Sequence, residues 1–514
     1  MIVVVHNTRI VTQIVTADGN HLGLFKKSIG AALFDLAKQY PEEVLTWCDE
    51  RAYTCFDAHM ASALLHHDKM ILSFNPNKNE YLSTRFGYVD HASILSIPKN
   101  VSFFTWQVSA TVGVVKASLL NALNELVPNK NEPFDYLLQS LTKRAMPNGL
   151  FCYSEPKLLT RSIGFNQESS SDYILFRFVK QHKSLKWLVV LFFNILMYEK
   201  RLSILPLIYA LFFATRKWNN KQLDRVEVCS KKQVLSTGEI DVIIPTIGRP
   251  EHVYHVLCDL RNQTHLPQKV IVVEQNPALN SNSQLNFLTQ EIWPFIIDHT
   301  FTHQPGACNA RNIALSKVTS EWVFMCDDDN RFEATLIEKV LANVKQYGVE
   351  VLSTAYPQVN ERIDYMTIHQ TTIFGSGNSF VKSSYLKQVQ FDATYEFCYG
   401  EDFDFGMQLR KAGADVVYFP SPAITHLKAP MGGFRIKPVF KWSQDVVQPI
   451  PSPTILLNYL KYRTTEQVNA YKTILFFKSF VRNKWQNPLN FVKSKSLHWS
   501  ASLRWANQLI ETKS

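Results

Sequence analysis

The chain has 514 residues, of which 46% are hydrophobic and 19% are charged. This balance is typical of globular proteins and excludes disordered, collagen-like and polytopic membrane proteins, and the length predicts several domains. The net charge of +10 does not indicate a nucleic-acid-binding body, because residues 436–514 alone contribute +9, with 12 basic and 3 acidic side chains.

The N-terminal sequence and the cysteines bear on the cellular compartment. The first six residues, MIVVVH, are apolar but lack the basic n-region of a signal peptide. The eight cysteines include no C-x-x-C pair and lie in apolar runs, which favours free, buried thiols. We therefore predict a reducing, cytosolic location.

Residues 187–215 raise the question of a membrane segment. Two apolar runs, 187–197 and 202–215, are separated by the polar sequence YEKR. Each run is shorter than the ~18–20 residues that span a bilayer. Basic residues flank both runs, which favours a helical hairpin lying in the headgroup region of an anionic leaflet. A buried pair of helices is the alternative.

Short apolar runs alternate with helical stretches from about Gly238 onward, which indicates an α/β unit with a largely parallel sheet. Strands are predicted at 240–245, 269–274 and 322–326, and polar residues stand at the end of each. In open α/β sheets, ligands bind beyond the carboxyl ends of the strands. We therefore expect these polar residues to meet at one edge of the sheet.

Three consecutive carboxylates, Asp327 to Asp329, follow the third of these strands. Their mutual repulsion is costly unless a positive charge lies among them. A divalent cation, Mg²⁺ or Mn²⁺, bound together with diphosphate oxygens is the usual solution. A solvated acidic turn that caps the following helix is the alternative.

A second acidic cluster, Glu401, Asp402 and Asp404, begins a helix that we expect to end near Gly413. The helix dipole would lower the pKa of these carboxyls and keep them ionised, so that one can accept a proton from an incoming hydroxyl. Simple charge stabilisation of the helix N-terminus is the alternative. His426 follows another predicted strand, and a lone histidine is usually structural.

In their order and spacing these segments resemble the family 2 glycosyltransferases of bacterial surface polysaccharide synthesis, whose catalytic domain has the GT-A fold. The resemblance covers residues 238–435 and implies an α/β, Rossmann-like nucleotide-diphospho-sugar transferase. Glu274 is a departure, because the family usually has Asp at that position. The matching sequences are DVIIPT (241–246), CNARN (308–312), DDD (327–329), GSGN (375–378), GED (400–402), His426 and GGFR (432–435).

The resemblance implies roles for individual residues. Asp402 would be the general base for transfer with inversion, and Glu401 would help to hold the acceptor. Mn²⁺ or Mg²⁺ would be bound by Asp329, Asp327 and His426, with Asp327 and Asp329 forming the D-x-D motif. The nucleotide would contact Pro245, Thr246, Arg249, Glu274, Arg311, Asp327 and Asp328. The donor or acceptor sugar would contact Gly375, Gly377, Asn378 and Asp404.

The N-terminal region contains an echo of these motifs. Residues 45–51, 115–120 and 132–136 align in order with 323–329, 381–386 and 401–405. In this alignment Arg51 takes the place of the metal ligand Asp329, and Pro133 takes the place of the base Asp402. We therefore predict that residues 1–160 are a truncated, inactive glycosyltransferase-like domain that serves acceptor binding or assembly. Chance similarity of short segments is the alternative.

Residues 436–514 interleave basic and aromatic side chains, which suits either a nucleic acid or an anionic membrane. No nucleic-acid recognition motif accompanies them, so we predict a helical tail on the membrane surface and no nucleic-acid partner. The predicted organisation is then the N-terminal domain (1–160), a helical linker (161–237), the catalytic domain (238–435) and the tail (436–514).

Together these features predict a metal-dependent, inverting glycosyltransferase that uses a nucleotide-sugar, by default a UDP-sugar. Its acceptor would be a lipid-linked or growing surface glycan, and the enzyme would lie peripherally on the cytoplasmic face of the membrane. A non-catalytic glycan-binding or scaffold protein is one alternative, which the complete acidic set disfavours. A sugar nucleotidyltransferase is another, but its glycine-rich loop after the first strand is missing, since residues 246–250 contain one glycine.

Overall fold

The computed structural model describes residues 1–16, 18–23, 27–91, 96–161, 163–165, 169–219, 221–428, 439–482 and 487–511. The chain divides into two compact units. We call them the first unit (Met1–Lys231 with Tyr462–Phe491) and the second unit (Lys232–Lys461 with Val492–Ser514). Across these described ranges, no helix combines the length and the apolar character needed to cross a membrane.

A seven-stranded mixed sheet lies at the centre of the first unit. Its strands are β1 (Ile2–His6), β2 (Val11–Thr16), β3 (Val44–Asp49), β4 (Met70–Phe74), β5 (Phe103–Phe104), β6 (Val112–Lys116) and β7 (Phe151–Ser154). Their order across the sheet is β2-β1-β3-β6-β4-β7-β5. The pairs β1–β3 and β4–β7 are parallel, and the other neighbours are antiparallel.

Seven helices accompany this sheet within the described residues. They are α1 (Ile29–Gln39), α2 (Ala58–Leu64), α3 (Ala117–Leu123), α4 (Phe134–Ala145), α5 (Asp172–His182), α6 (Leu185–Asn194) and α7 (Ile204–Leu211). Helix α1 begins after Ser28, whose hydroxyl accepts a hydrogen bond from the N–H of Ala31. The strands β1 and β4 are buried at every position, as expected for strands that are covered on both faces.

The second unit is built on an eight-stranded sheet and a two-stranded ladder. The strands are β8 (Ile240–Ile247), β9 (Lys269–Gln275), β10 (Ile296–Thr302), β11 (Trp322–Cys326), β12 (Asn330–Arg331), β13 (Val351–Ala355), β14 (His369–Gln370), β15 (Asn378–Lys382), β16 (Val416–Ala423) and β17 (Thr425–His426). The large sheet has the order β10-β9-β8-β11-β15-β13-β16-β14, and β12 pairs with β17.

The helices of the second unit connect these strands. They are α8 (Pro250–Arg261), α9 (Phe287–Gln290), α10 (Ala307–Leu315), α11 (Leu336–Tyr347) and α12 (Glu401–Lys411). The three strands predicted from the sequence are confirmed as β8, β9 and β11. They run parallel, so their carboxyl ends do lie at one edge of the sheet. This arrangement is the predicted α/β, GT-A type of fold.

Six strands of the two large sheets have the same connections. The series β1, β3, β4, β5, β6, β7 and the series β8, β11, β13, β14, β15, β16 have the same chain order, spatial order and pairing directions. The register also agrees, because Cys48 lies opposite Val112 as Cys326 lies opposite Asn378. The short alignment of the N-terminal motifs therefore reflects a shared sheet topology.

The structure corrects one position of that alignment. Helix α4 begins at Phe134 and helix α12 at Glu401, so the second residue of each helix is an aspartate, Asp135 and Asp402. Asp135 accepts a hydrogen bond from the N–H of Ala110 at 2.9 Å, and Asp402 accepts hydrogen bonds from Ser376. Ala110 and Ser376 each stand two residues before the matching strands β6 and β15. Asp135, and not Pro133, therefore corresponds to Asp402.

Three helices follow the second sheet: α13 (Pro453–Tyr462), α14 (Thr465–Arg482) and α15 (Pro488–Glu511). The predicted helical character of this region is confirmed. Helix α13 packs within the second unit, and α14 belongs to the first unit. The sequence GGFR at 432–435 lies outside the described residues.

Candidate functional site

The carboxyl ends of β8 and β11 meet through Asp328. The hydroxyl of Thr246, near the end of β8, donates to Oδ2 of Asp328 at 2.7 Å. The guanidinium of Arg249 lies between two carboxylates, with its Nη1 at 2.9 Å from Asp328 and 2.7 Å from Asp329. Pro245 precedes Thr246 in the same strand and pairs with Val273 of β9. The structure thus brings the predicted residues of these two strands together.

Asp329 and His426 face each other across the short ladder formed by β12 and β17. Nε2 of His426 lies 3.5 Å from Oδ1 of Asp329. Burial alone would raise the pKa of Asp329, but hydrogen bonds with His426 and Arg249 hold it well below its usual value. The hydrogen bond with Asp329 raises the pKa of His426. The pair therefore favours an ionised carboxylate.

Tyr356 and Asn330 support this pair, and the sequence analysis missed both. The ring of Tyr356 stacks on His426 with a centroid separation of 4.6 Å and an interplanar angle of 12°. Its hydroxyl donates to Asn330, whose amide donates to the carbonyl of Gly377 at 2.6 Å. Tyr356 directly follows strand β13, so the same strand-end reasoning that selected Asp327 also points to it.

Arg311 connects the acidic triplet to the second acidic cluster. Its Nη2 donates to Oδ1 of Asp327 at 2.9 Å. Burial alone would lower the pKa of Arg311, but the negative charges of Asp327, Asp402 and Glu401 raise it above its usual value. Because charges interact more strongly in a buried site than in water, these carboxylates and the guanidinium influence one another's pKa values.

Asp402 and Glu401 occupy the first turn of α12, but their pKa values differ from the expectation. Burial raises the pKa of Asp402, against the opposing effects of Arg311 and of hydrogen bonds from Ser376. Burial and the charge of Asp402 raise the pKa of Glu401 to about 7. The expected lowering by the helix dipole is therefore wrong, because the cost of removing the charge from water is larger. Among the described residues, Oδ1 of Asp402 has no hydrogen-bond partner.

The GSGN turn is shaped by close contacts with the site. A Cβ atom at Gly377 would lie 2.2 Å from Oδ2 of Asp327, so any larger residue there would force this carboxylate to move. A Cβ atom at Gly375 would lie 2.1 Å from Oδ1 of Asn378. The Asn378 amide itself donates to the carbonyl of Thr354 at 2.6 Å. In this arrangement Asn378 holds the turn, and contact of these three residues with a sugar stays a prediction.

Two predicted site residues have protein partners of their own. Asp404 is fully buried and forms an ion pair with Lys461 of α13 and a hydrogen bond with Gln408 at 2.7 Å. Glu274 accepts hydrogen bonds from Ser283, from the N–H of Gln284 and from His299. These contacts hold Asp404 in the base of α12 and hold Glu274 against the loop after β9.

Helix α13 is the second contribution that the sequence analysis missed. The amide of Asn458 donates to the carbonyl of Gly400 at 3.1 Å and accepts a hydrogen bond from Tyr395. A Cβ atom at Gly400 would lie 2.3 Å from that amide, and Gly400 has φ +118°, a backbone conformation that favours glycine. The residue that precedes Glu401 is thus fixed from outside the predicted catalytic domain. No local sequence signal identifies this contact.

One pair of side chains at this edge of the sheet suits a divalent cation. Within the described part of the chain, no three His, Cys, Asp or Glu side chains are grouped closely enough to enclose a metal ion. Asp329 and His426 do form an adjacent oxygen and nitrogen pair. A cation that also binds diphosphate oxygens needs only one or two protein carboxylates, so this pair fits such an ion.

Comparisons with known proteins agree with this geometry. Residues 241–405 match the model of glycosyl transferase family 2. An uncharacterized glycosyltransferase of Rickettsia bellii is 24% identical over 29% of this chain and 21% of its own length. Another from Rickettsia felis is 25% identical over 29% of this chain and 24% of its own length. The chain therefore spans about a fifth to a quarter of the length of these curated relatives.

Solved structures of S. aureus TarS also resemble parts of the chain. The structure of TarS 1–349 covers 37% of this chain and 60% of its own, with 18% identity and a TM-score of 0.32. Its complex with UDP-GlcNAc covers 51% and 71%, with 15% identity and a TM-score of 0.34. Residues 241–405, which carry the GT-A type sheet and the site at its edge, are thus the part of the chain that matches glycosyl transferase family 2.

Proposed function

We propose that the second unit transfers a sugar from a nucleoside diphosphate donor to an acceptor hydroxyl, with inversion at the anomeric carbon. One observation carries the proposal: Arg311 links the acidic triplet after β11 to the carboxylates that begin α12. Family 2 enzymes use nucleotide-sugar donors. Transfer from such a donor needs positive charge beside the diphosphate and a base beside the acceptor hydroxyl. Arg311 and the carboxylates of α12 offer these two groups in one site.

Asp402 is the general base in this proposal. Its unpaired Oδ1 accepts the proton of the acceptor hydroxyl. The oxygen of the acceptor then attacks the anomeric carbon. The bond between the anomeric carbon and the diphosphate oxygen breaks, and the nucleoside diphosphate leaves with its electron pair. Arg311 and Arg249 lie where this new negative charge develops, and each is already paired with a carboxylate.

Of the residues predicted to bind Mn²⁺ or Mg²⁺, the Asp329 and His426 pair fits a divalent cation, whereas Asp327 pairs with Arg311. When bound, the cation would neutralise charge on the leaving diphosphate. The chain's own residues prepare for it: Asp329 stays ionised, and Tyr356 fixes the ring of His426 by stacking. Metal dependence is thus part of the proposal, as is UDP as the donor nucleotide.

The proposed acceptor is a lipid-linked or growing surface glycan at the cytoplasmic face of the membrane. The rival reading as a scaffold protein predicts that no nucleotide binds. The rival reading as a nucleotidyltransferase predicts binding of a nucleoside triphosphate and release of pyrophosphate. Both are separated from sugar transfer by the ligands they require.

The test is a thermal-shift panel of UDP, GDP, dTDP and CMP, with and without Mn²⁺. A ligand at a hundredfold excess over its Kd stabilises the folded chain by about 2.7 kcal/mol. We expect one nucleotide to raise the Tm in a metal-dependent way, and Asp329→Ala to lose this shift. Asp298→Ala, which removes a surface partner of Lys317, is the matched control and should keep it. No shift with any nucleotide would contradict the proposal.

A further inference from the structure

Helices α6 and α7 carry a concentration of exposed apolar side chains. In the described residues, 34 large hydrophobic side chains are exposed, and eleven of them lie between Leu185 and Phe212. Such clustering marks an interaction surface, whereas scattered single residues do not. We call these eleven the 185–212 surface: Leu185, Val189, Phe193, Met197, Leu202, Ile204, Leu205, Ile208, Tyr209, Leu211 and Phe212.

The 185–212 surface is the outer face of helices that are anchored on their inner face. Leu185, Val189, Phe193 and Met197 follow one another at four-residue spacing along α6 and the π-helical turn after it, and so share one side. Leu188 and Leu191 on α6 and Ala210 on α7 are fully buried in the core of the first unit. The two helices are therefore held in place while their apolar outer side meets the surroundings.

The charges around this surface identify its partner. Within residues 184–219, all described, the exposed charged side chains are Lys186, Lys200, Arg201 and Lys217. The single acidic residue of this stretch, Glu199, is partly buried and pairs with Arg85. An apolar face with a basic border matches an anionic lipid surface, whose acyl chains and headgroups offer the complementary groups.

A polar cleft opens at one border of the surface. It has a volume of about 560 Å³ and is lined by Arg85, Asp172, Tyr173, Arg201, Leu202 and Ser203, with Asp172 paired with both arginines. Charged and hydroxyl groups thus stand directly beside apolar side chains. An interfacial helix likewise contacts polar headgroups on one side and acyl chains on the other.

We infer that the 185–212 surface docks the protein onto an anionic bilayer, with α6 and α7 lying along the interface. The inference stands independently of the proposed sugar transfer. It assigns the docking to the first unit, whereas the basic and aromatic sequence of 436–514 predicts a tail on the membrane surface. Helices of 10 and 8 residues are long enough to lie in the interface and too short to cross it.

The test uses the full chain and vesicles made of equal parts phosphatidylglycerol and phosphatidylcholine, or of phosphatidylcholine alone. The variant is Leu205→Glu with Phe212→Glu, at side chains that are 67% and 82% exposed, so the core is untouched. Burying each CH₂ group contributes about 0.8 kcal/mol, so we expect at least about a tenfold loss of binding to the anionic vesicles. Added salt should weaken the binding of the wild type.

The matched control is Ile292→Glu with Val446→Glu, which places the same charges at exposed apolar positions of the second unit. It should bind vesicles like the wild type, and both variants should keep the wild-type Tm and transfer activity on a soluble acceptor. Equal binding of the wild type to neutral and anionic vesicles would overturn the inference. So would full binding by the Leu205 and Phe212 variant.

Two further outcomes would replace the inference by a different one. If Leu489→Glu with Leu497→Glu releases the protein while the Leu205 and Phe212 variant stays bound, the tail is the membrane element. If the Leu205 and Phe212 variant changes a dimer to a monomer in light scattering and leaves vesicle binding intact, the surface binds a second copy of the chain.

Discussion

The two units of this protein differ in the segment that joins the first and second strands of their shared six-strand series. In the second unit, α8, β9, β10 and α10 lie between β8 and β11 in the chain. Among the described residues between β1 and β3 of the first unit, the elements are β2 and α1, and β2 takes the place of β9 as an antiparallel neighbour. In these residues there is no counterpart of the parallel strand that carries Glu274 or of the helix that leads to it.

At two matched helix positions the second unit has a charged residue and the first unit has a leucine. The fifth residue of α10 is Arg311, whereas the fifth residue of α1 is Leu33. The fourth residue of α12 is Asp404, whereas the fourth residue of α4 is Leu137. Leu33 and Leu137 belong to one apolar core. The first unit therefore keeps an aspartate, Asp135, at the position of Asp402, and has packed leucines where the second unit has Arg311 and Asp404.

The largest effect should come from Asp402→Asn. The amide cannot accept the acceptor's proton, so kcat should fall by about 10²–10⁴-fold while nucleotide binding is kept. The matched change Asp135→Asn alters the corresponding residue of the first unit and should leave kcat unchanged. Steady-state rates of nucleoside diphosphate release and a nucleotide thermal shift provide both readings. Loss of activity in Asp135→Asn would mean that the first unit takes part in the chemistry.

Arg311→Leu gives the second unit the residue that the first unit has at the matched helix position, Leu33. The change removes the donor to Asp327 and a positive charge beside the diphosphate, so we expect about a 10²-fold loss in kcat/KM. Arg261→Leu, at a half-exposed ion pair with Glu291, is the control and should cost little. Equal losses in the two variants would show that Arg311 acts through stability alone, which a melting curve would reveal.

The raised pKa values of Glu401 and Asp402 at the start of α12 predict that activity depends on pH. A base must be ionised to accept a proton, so activity is present above the raised pKa and is lost as pH falls through it. Burial raises the pKa of the base Asp402, and the pKa of Glu401, which would hold the acceptor in its ionised form, is raised to about 7; as Glu401 becomes protonated, kcat/KM should fall about tenfold between about pH 8 and pH 6. Glu401→Gln should move this acid limb to lower pH. An acid limb near the ordinary carboxyl pKa would contradict the burial of the pair.

The ion pair between Asp404 and Lys461 allows a test of how α13 stabilises α12, because the first unit has Leu137 at the position of Asp404. Lys461→Ala leaves Asp404 buried without its ion-pair partner, and should lower the free energy of unfolding by about 1–3 kcal/mol. The double variant Asp404→Leu with Lys461→Met copies the apolar solution of the first unit and should recover most of this loss. Denaturant melts measure both. If the double variant recovers none of the lost stability, an apolar pair cannot replace the ion pair of Asp404 and Lys461.

The sequence predicted the strands and the acidic triplet because they are local patterns. The three strands are apolar runs, and the position of Asp327 to Asp329 follows from the end of β11. It did not predict Asn458 or Lys461, because these contacts join residues that are far apart in the chain and have no periodic signature. The pKa of Asp402 was misjudged for the same reason, since burial depends on the assembled fold.

The smallest effect expected is none, for Arg51→Asp. Arg51 stands in the register position of Asp329 and pairs with Asp49 at 2.8 Å, so the substitution restores an acidic residue there. The described residues of the first unit include no counterpart of β9, and Leu33 stands where the second unit has Arg311, so we expect no nucleotide site there. Calorimetric titration with nucleotide and Mn²⁺ should give one site per chain in the variant as in the wild type. Two sites would show that a single side chain separates the two units, and that the missing strand is dispensable for nucleotide binding.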